Sequence, residues 1–224
     1  MSLPSPRRQS RTMRSTRAAW LVSLVLSLLV VAYAARYLAF DPMTYFEQQR
    51  DVYLDRQVVL GLHVGGAIVA LLLLPFQLAR GLRRRHPRLH RGTGVLYVVG
   101  VAVGGLGGLA LATTAHGGAV AGLGFAGLGA AWLGTTAAGV HAIGRRDLAA
   151  HQRWMIRSAS LTFAAVTLRL YLGLAGAAGL PFDASYVAIA WLCWVPNLAL
   201  ALHLTRRGPV APRHVRLWTE IPTT

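Results

Sequence analysis

Residues 58–78 read VVLGLHVGGAIVALLLLPFQL and contain no charged side chain. The hydrocarbon core of a bilayer is about 30 Å thick and an α-helix rises about 1.5 Å per residue, so about 20 apolar residues cross it. This stretch therefore has the length and composition of a membrane-spanning helix. It lies in a chain of 224 residues that is 54% hydrophobic and 13% charged, which is too apolar for an ordinary soluble domain.

Five further stretches of similar length and composition flank this segment. The six predicted spans are residues 18–39, 58–78, 94–114, 120–143, 160–179 and 186–204. Glycine and alanine are abundant in the third, fourth and fifth spans, and small residues allow helices to pack closely within a bilayer. We therefore predict an all-α membrane protein, a six-helix transmembrane bundle. The predicted domains are a basic N-terminal tail (1–17), the transmembrane domain (18–205) and a C-terminal tail (206–224).

The charges predict how the bundle is oriented. The chain has 23 cationic and 7 acidic side chains, a formal net charge of +16, and every cation is an arginine. The arginines cluster in both tails and in the second and fourth loops between spans, whereas the odd-numbered loops are richer in acids. Because arginine is retained on the cytoplasmic side, both termini are predicted to be cytoplasmic, in a multi-pass protein of the cytoplasmic membrane. The same placement favours a lipid bilayer over nucleic acid as the partner of this basic chain.

One extramembrane segment is predicted on the outer side. Its sequence, DPMTYFEQQRDVYLDR, occupies residues 41–56 and is too short for a catalytic domain. Phe46, Val52 and Leu54 favour a short interfacial helix within it.

Four of the eight histidines are candidate ligands. His63 lies near the outer end of the second span and His116 at the outer turn after the third, while His90 and His151 lie at the cytoplasmic ends of the third and fifth spans. A histidine within a span is costly without a partner, and imidazole is the usual axial ligand of haem iron. The pattern suggests two b-type haems, held by His63 with His116 and by His90 with His151. Alternatively, the second pair faces lipid headgroups, while His63 and His116 bond to backbone carbonyls or to each other.

A cation near the middle of the fifth span, Arg169, is the second unusual feature. The free energy of placing an unpaired arginine against lipid is unfavourable on every scale, so we expect Arg169 to face the bundle. Its partner could be an imported anion or acceptor, such as a haem propionate, a quinone oxygen, a lipid phosphate or a carboxylate. A purely structural alternative bonds Arg169 to neutral acceptors such as Thr167, Asn197 and the backbone carbonyls that Pro196 frees.

Several other residues have predicted structural roles. Pro196 should kink the sixth span, and Asn197 is placed to satisfy the freed backbone groups, as Gln77 is after Pro75. The single cysteine, Cys193, is expected to pack in the core. The aromatic residues typical of interfacial belts include Trp154, Trp191, Trp194, Tyr97 and Tyr171.

The sequence resembles a bacterial family of predicted membrane proteins, domain-of-unknown-function family 2306. The stretches that carry the resemblance are HVGGAIVALLLLPFQ (63–77), RLHRGTGVLY (88–97), TAHGG (114–118), HQRWMIRSASLTFAAVTLRLYL (151–172) and AWLCWVPN (190–197). This resemblance implies a membrane location and supplies no reaction. A more distant likeness is to the cytochrome b-561 class, six-helix proteins whose paired histidines hold two haems. This likeness is an analogy that rests on the six-helix fold and on the depth of the histidines within the membrane.

Three functions follow as expectations. The first is transmembrane electron transfer through two b-type haems, with a quinone or another redox partner and with Arg169 against a propionate or the quinone. The second is a carrier or binder of an anion or small molecule that uses Arg169, with Pro196 as a hinge. The third is an accessory membrane subunit in which the polar residues serve packing alone.

Overall fold

The computed structural model describes residues 6–206, with side chains described from Ala18 onward except at residues 19 and 80. The α-helices are α1 (Pro6–Ala35), α2 (Arg50–Asp55), α3 (Gln57–Leu78), α4 (Arg80–Arg85), α5 (Pro87–Ala112), α6 (Gly118–Gly144), α7 (Leu148–Thr162), α8 (Ala164–Ala177), α9 (Phe182–Leu192) and α10 (Val195–Arg206). Three short 3-10 helices, Arg36–Ala39, Pro42–Thr44 and Glu47–Gln49, lie between α1 and α2. No strand occurs within residues 6–206.

Six stretches of helix are long and apolar enough to cross a bilayer, which confirms the predicted fold class. They are Trp20–Ala39, Gln57–Leu78, Pro87–Ala112, Gly118–Gly144, Leu148–Ala177 and Phe182–Arg206. α7 and α8 together form the fifth span, and α9 and α10 form the sixth.

Two spans begin earlier than the hydropathy pattern predicted. The third starts at Pro87 rather than at residue 94, and the fifth starts at Leu148 rather than at residue 160. Pro87 occupies the first turn of α5, where its missing N–H costs nothing. Asp147 caps α7, because its carboxylate accepts a hydrogen bond from the backbone N–H of Ala150 at 2.8 Å. Hydropathy locates lipid contact, whereas these caps decide where the helices begin.

The ends of the spans define two faces. The arginine-rich face carries α4, the turn at residues 145–147 and the end of α10. The long-loop face carries residues 40–56, 113–117 and 178–181. The long loop contains the short helix α2, and this agrees with the prediction from Phe46, Val52 and Leu54. Two of its residues, Tyr45 and Gln49, are buried, and Gln49 Nε2 donates to the Tyr186 hydroxyl of α9 at 2.7 Å.

Glycines bring α3 and α5 into backbone contact. A Cβ atom at Gly66 would lie 2.4 Å from the backbone nitrogen of Gly104, and one at Gly100 would lie 2.9 Å from the carbonyl oxygen of Gly66. Such distances are shorter than any side chain allows, so only glycine permits this approach. The structure thus confirms that small residues of the third span mediate close packing.

A buried polar network joins α5, α6 and α7. The Tyr97 hydroxyl lies 2.8 Å from Ser158 Oγ and 2.7 Å from Thr162 Oγ1, and Trp132 Nε1 donates to Thr162 Oγ1 at 2.9 Å. Tyr97 is 1% exposed, so the interpretation of this residue as part of an interfacial belt was wrong. Its hydroxyl has partners inside the bundle and does not need the headgroup region.

The sixth span breaks where proline predicts a kink, between α9 and α10. Asn197 Nδ2 donates to the carbonyl of Cys193 at 3.0 Å, so it satisfies a backbone group at the break, as predicted. Cys193 is fully buried, as expected. Gln77 differs from its expected role, because its amide donates to Thr93 Oγ1 on α5 at 2.7 Å rather than to its own helix.

Candidate functional site

Arg169 projects from α8 in the half of the bundle nearer the long-loop face, about two helical turns before Ala177. α8 packs against α1 and α9. The ionisable side chains in its surroundings are Tyr33, Tyr37, Tyr53 and Cys193, and none of them is a carboxylate. The guanidinium therefore faces the bundle, as the sequence predicted, and it faces neutral groups.

The hydrogen bonds of Arg169 leave it incompletely satisfied. One terminal nitrogen donates to the carbonyl of Ala165, in its own helix, at 3.0 Å. Nε is buried and has no hydrogen-bond partner within residues 6–206. In the same part of the chain, the one ion pair joins His116 to Asp183, so Arg169 has no carboxylate partner there. Asn197 Nδ2 donates to Ser160, Thr167 and Cys193, and no hydrogen bond joins Asn197 to Arg169 within residues 6–206, so this part of the structural alternative is not observed.

Four tyrosines, Tyr33, Tyr37, Tyr45 and Tyr53, form what we call the tyrosine cluster. The ring centroids of Tyr37 lie 5.7 Å from Tyr45 and 6.3 Å from Tyr53, and Tyr45 lies 5.5 Å from Tyr53. Tyr33 follows at 6.3 Å from Tyr37. Tyr45 is 3% exposed, and its buried hydroxyl has no partner among the described residues. The cluster thus contains a buried polar atom without a hydrogen-bond partner, as Arg169 does, within residues 6–206.

Sequence reasoning missed the tyrosine cluster. Four of the seven tyrosines of the chain fall within residues 33–53, and this concentration was the available signal. Its members come from the end of α1, the long loop and α2, so only the fold brings them to Arg169 on α8. Burial raises the pKa of Tyr53, which lies outside the spans, so its hydroxyl stays protonated at physiological pH and can donate a hydrogen bond.

His63, on α3, is held in place by a hydrogen bond to α5. Its Nδ1 donates to the carbonyl of Gly104 at 2.8 Å, because a carbonyl can only accept. A Cβ atom at Gly108 would lie 3.0 Å from that ring nitrogen, so the ring packs directly on α5. Nε2 is left as an acceptor. His63 lies within the first two turns of α3, so it is in the same half of the bundle as Arg169.

His116, the expected partner of His63, is engaged elsewhere on the long-loop face. Its Nε2 lies 2.7 Å from a carboxylate oxygen of Asp183. Its ring centroid lies 5.7 Å from that of Phe182 and 5.8 Å from that of Tyr186. These contacts fasten the turn between α5 and α6 to the start of α9.

The two remaining candidate histidines lie at the arginine-rich face. His151 Nδ1 donates to the carbonyl of Gly139 at 2.8 Å, which leaves its Nε2 as an acceptor. His90 has a buried Nδ1 without a partner among the described residues. His90 and His151 lie in the first turns of α5 and α7, and two helical turns further along these helices Tyr97 is hydrogen-bonded to Ser158, so both histidines lie on adjacent helices at this face.

The arrangement around Arg169 can hold an acceptor-rich group. Arg169 offers a buried Nε–H and further N–H groups, and the tyrosine cluster offers hydroxyls, while no carboxylate competes for them among residues 6–206. Anions and carbonyl oxygens match such donors. Groups of three or more histidine, cysteine or carboxylate side chains, as a metal site would require, do not occur in this part of the chain.

Residues 60–205 match the family model described as "Predicted membrane protein (DUF2306)", and they make up well over half of the chain. The chain belongs to this family. The matched range contains Arg169 and all four candidate histidines, whereas the DUF2306 match begins after the tyrosine cluster. Neither the curated proteins nor the solved structures gave a match. With its six spans, the chain is thus an integral membrane protein of a family without an assigned reaction, surrounded by a lipid bilayer.

Proposed function

We propose that this DUF2306 protein binds a small anion at Arg169, in the half of the membrane nearer the long-loop face. One observation carries the proposal: Arg169 Nε is buried and lacks a hydrogen-bond partner among the described residues. An ion in a span costs about 3 kcal/mol on insertion scales, and leaving one of its N–H groups unsatisfied adds to that cost. A bound anion would offset both.

The surroundings of Arg169 favour a compact carboxylate as the ligand. A carboxylate can accept two N–H bonds from one guanidinium, and a remaining lone pair suits a tyrosine hydroxyl. The rings of the tyrosine cluster contact one another, which favours a ligand of few atoms. His63 Nε2, as an acceptor, would suit a ligand that also carries one donor group. The proposed ligand is therefore a small carboxylate, such as a hydroxy acid.

The predicted orientation places this site towards the exterior of a bacterial cell. The arginine-rich face would lie in the cytoplasm and the long-loop face outside the cytoplasmic membrane. The ligand would then be collected from the outer side, and the kink at Pro196 beside the site would serve as a hinge if the protein carries it across.

An anion series tests the proposal on the purified protein in detergent. The thermal unfolding midpoint is measured with chloride, formate, acetate, lactate and benzoate at constant ionic strength. We expect at least one carboxylate to raise the midpoint with saturating dose dependence, by about 5 °C or more at a hundredfold excess over Kd. Equal responses to all anions, or no response to any, would contradict the proposal.

A second candidate function, electron transfer through b-type haem, is supported by the tautomers of two histidines. His63 and His151 each donate Nδ1–H to a glycine carbonyl, and this hydrogen bond leaves Nε2 free, as in most metal-ligating histidines. The fit is better at the arginine-rich face, where His90 and His151 lie in the first turns of adjacent helices, than at His116, whose Nε2 is bound to Asp183. Haem bound there would supply one-electron redox chemistry.

A reduced-minus-oxidised optical spectrum of the detergent-purified protein tests this candidate. Haem ligation predicts b-type absorption bands that weaken in His151→Ala and persist in His203→Ala, a variant of an exposed histidine on the same face. A flat difference spectrum from protein purified out of haem-producing cells would eliminate electron transfer and leave the anion proposal untouched.

A further inference from the structure

A cluster of three arginines lies at the arginine-rich face, far from Arg169, where α7 packs against α10. Arg153 and Arg157 are one helical turn apart on α7, so they share a helix face. Arg206 ends α10, next to Thr205. The charges of Arg153 and Arg206 both act on Arg157, and no carboxylate pairs with any of the three within residues 6–206.

Arg157 is fixed in place, unlike a solvated surface arginine. Its Nε donates to Thr205 Oγ1 at 3.2 Å, and Thr205 is buried. Its guanidinium carbon lies 4.5 Å from the ring centroid of Trp154, which is a cation–π contact. Because Nε and the face of the guanidinium are already engaged, the terminal N–H groups remain for another acceptor. The contact with Thr205 also sets the depth of Arg157 at the end of the sixth span, where lipid headgroups lie.

We propose that Arg157, Arg153 and Arg206 form a binding site for the phosphate of an anionic phospholipid. Three guanidiniums without a carboxylate partner, one of them pre-oriented, match the phosphate group in charge and geometry. The tryptophan beside them is suited to the interface between headgroups and acyl chains. Basic pockets between spans at this membrane depth are a recurrent form of lipid recognition. The site is independent of the function proposed for Arg169.

Lipid titration of the purified full chain in detergent tests this site, with binding followed by native mass spectrometry. The probes are phosphatidylglycerol, phosphatidylcholine, which has the same phosphodiester but no net charge, and inorganic phosphate. We expect phosphatidylglycerol to bind tightest, and Arg157→Gln to weaken its binding about fivefold. Arg145→Gln, which removes an exposed arginine from the same face, should leave the binding unchanged.

If Arg157→Gln does not fold, Arg153→Gln provides the same test, because the Arg153 side chain makes no hydrogen bond to another residue within residues 6–206. It should also weaken phosphatidylglycerol about fivefold. The proposal is overturned if Arg145→Gln weakens binding as much as these variants, or if phosphatidylcholine binds as tightly as phosphatidylglycerol. Equally tight binding of inorganic phosphate would assign the cluster to a free anion instead of a lipid.

Discussion

Gly66→Ala is expected to lower the free energy of unfolding by about 3 kcal/mol or more, the upper range for overpacking. The added methyl group would lie 2.4 Å from the backbone nitrogen and 2.8 Å from the Cα atom of Gly104. Backbone cannot rotate away as a side chain can, so α3 and α5 must separate. That separation would also move His63, which donates to Gly104 from the preceding turn. Unfolding in a graded mixture of mild detergent and dodecyl sulfate measures the loss.

Gly65→Ala is the matched control for this prediction. It makes the same chemical change one residue earlier in the same helix, where a Cβ atom would meet nothing within 4 Å. Alanine is the better helix former by about 1 kcal/mol, so this variant should be as stable as the wild type or more so. If the two variants unfold alike, the backbone contact between α3 and α5 is not as close as described.

Arg169→Leu is expected to produce a folded protein that is more stable in the absence of ligand but no longer responds to carboxylates. Removing the cation eliminates an insertion cost of about 3 kcal/mol, and among the described residues the one hydrogen bond lost is to the carbonyl of Ala165 in the same helix. The measurement is the thermal unfolding midpoint with and without the carboxylate that stabilises the wild type most.

Arg169→Lys separates charge from geometry in the same assay. Lysine keeps the cation but presents a point charge without a planar fork, so the carboxylate response should weaken without disappearing. A structural role for Arg169 predicts the opposite pattern for Arg169→Leu, namely a lower midpoint or a protein that fails to fold. That result would favour the accessory-subunit interpretation.

The sequence was sufficient to predict the six spans, because a helix that contacts lipid must be apolar along about 20 residues. It was also sufficient to predict the break at Pro196, whose missing N–H has a fixed structural consequence. The break between α7 and α8 at Phe163 was not predictable in this way, since neither proline nor glycine occurs there. The two helices are separated by one residue, and no local sequence signal distinguishes that residue from its neighbours.

The candidate site was predictable only in part. Arg169 and His63 stand out because an ionisable side chain in an apolar span needs a partner. The identity of that partner depends on which helices are neighbours, and hydropathy contains no such information. Tyrosines are common near membrane interfaces, so the positions of Tyr37 and Tyr53 in the sequence did not indicate that they would lie near the Arg169 guanidinium. The sequence placed His63 and His116 near the same face of the membrane. It did not indicate that His116 would contact Asp183 instead of a ligand shared with His63.

The Arg169 side chain itself provides the most direct test of an anion site. In protein labelled with 15N-arginine, the Nε–H resonance of Arg169 is assigned by its absence from the Arg169→Leu spectrum. Titration with the stabilising carboxylate should move this resonance in a saturable manner, because the buried Nε–H acquires an acceptor, while the Nε–H resonances of loop arginines such as Arg145 stay in place. An Arg169 resonance that does not move while the carboxylate still stabilises the protein would contradict the account, since the anion would then be bound elsewhere.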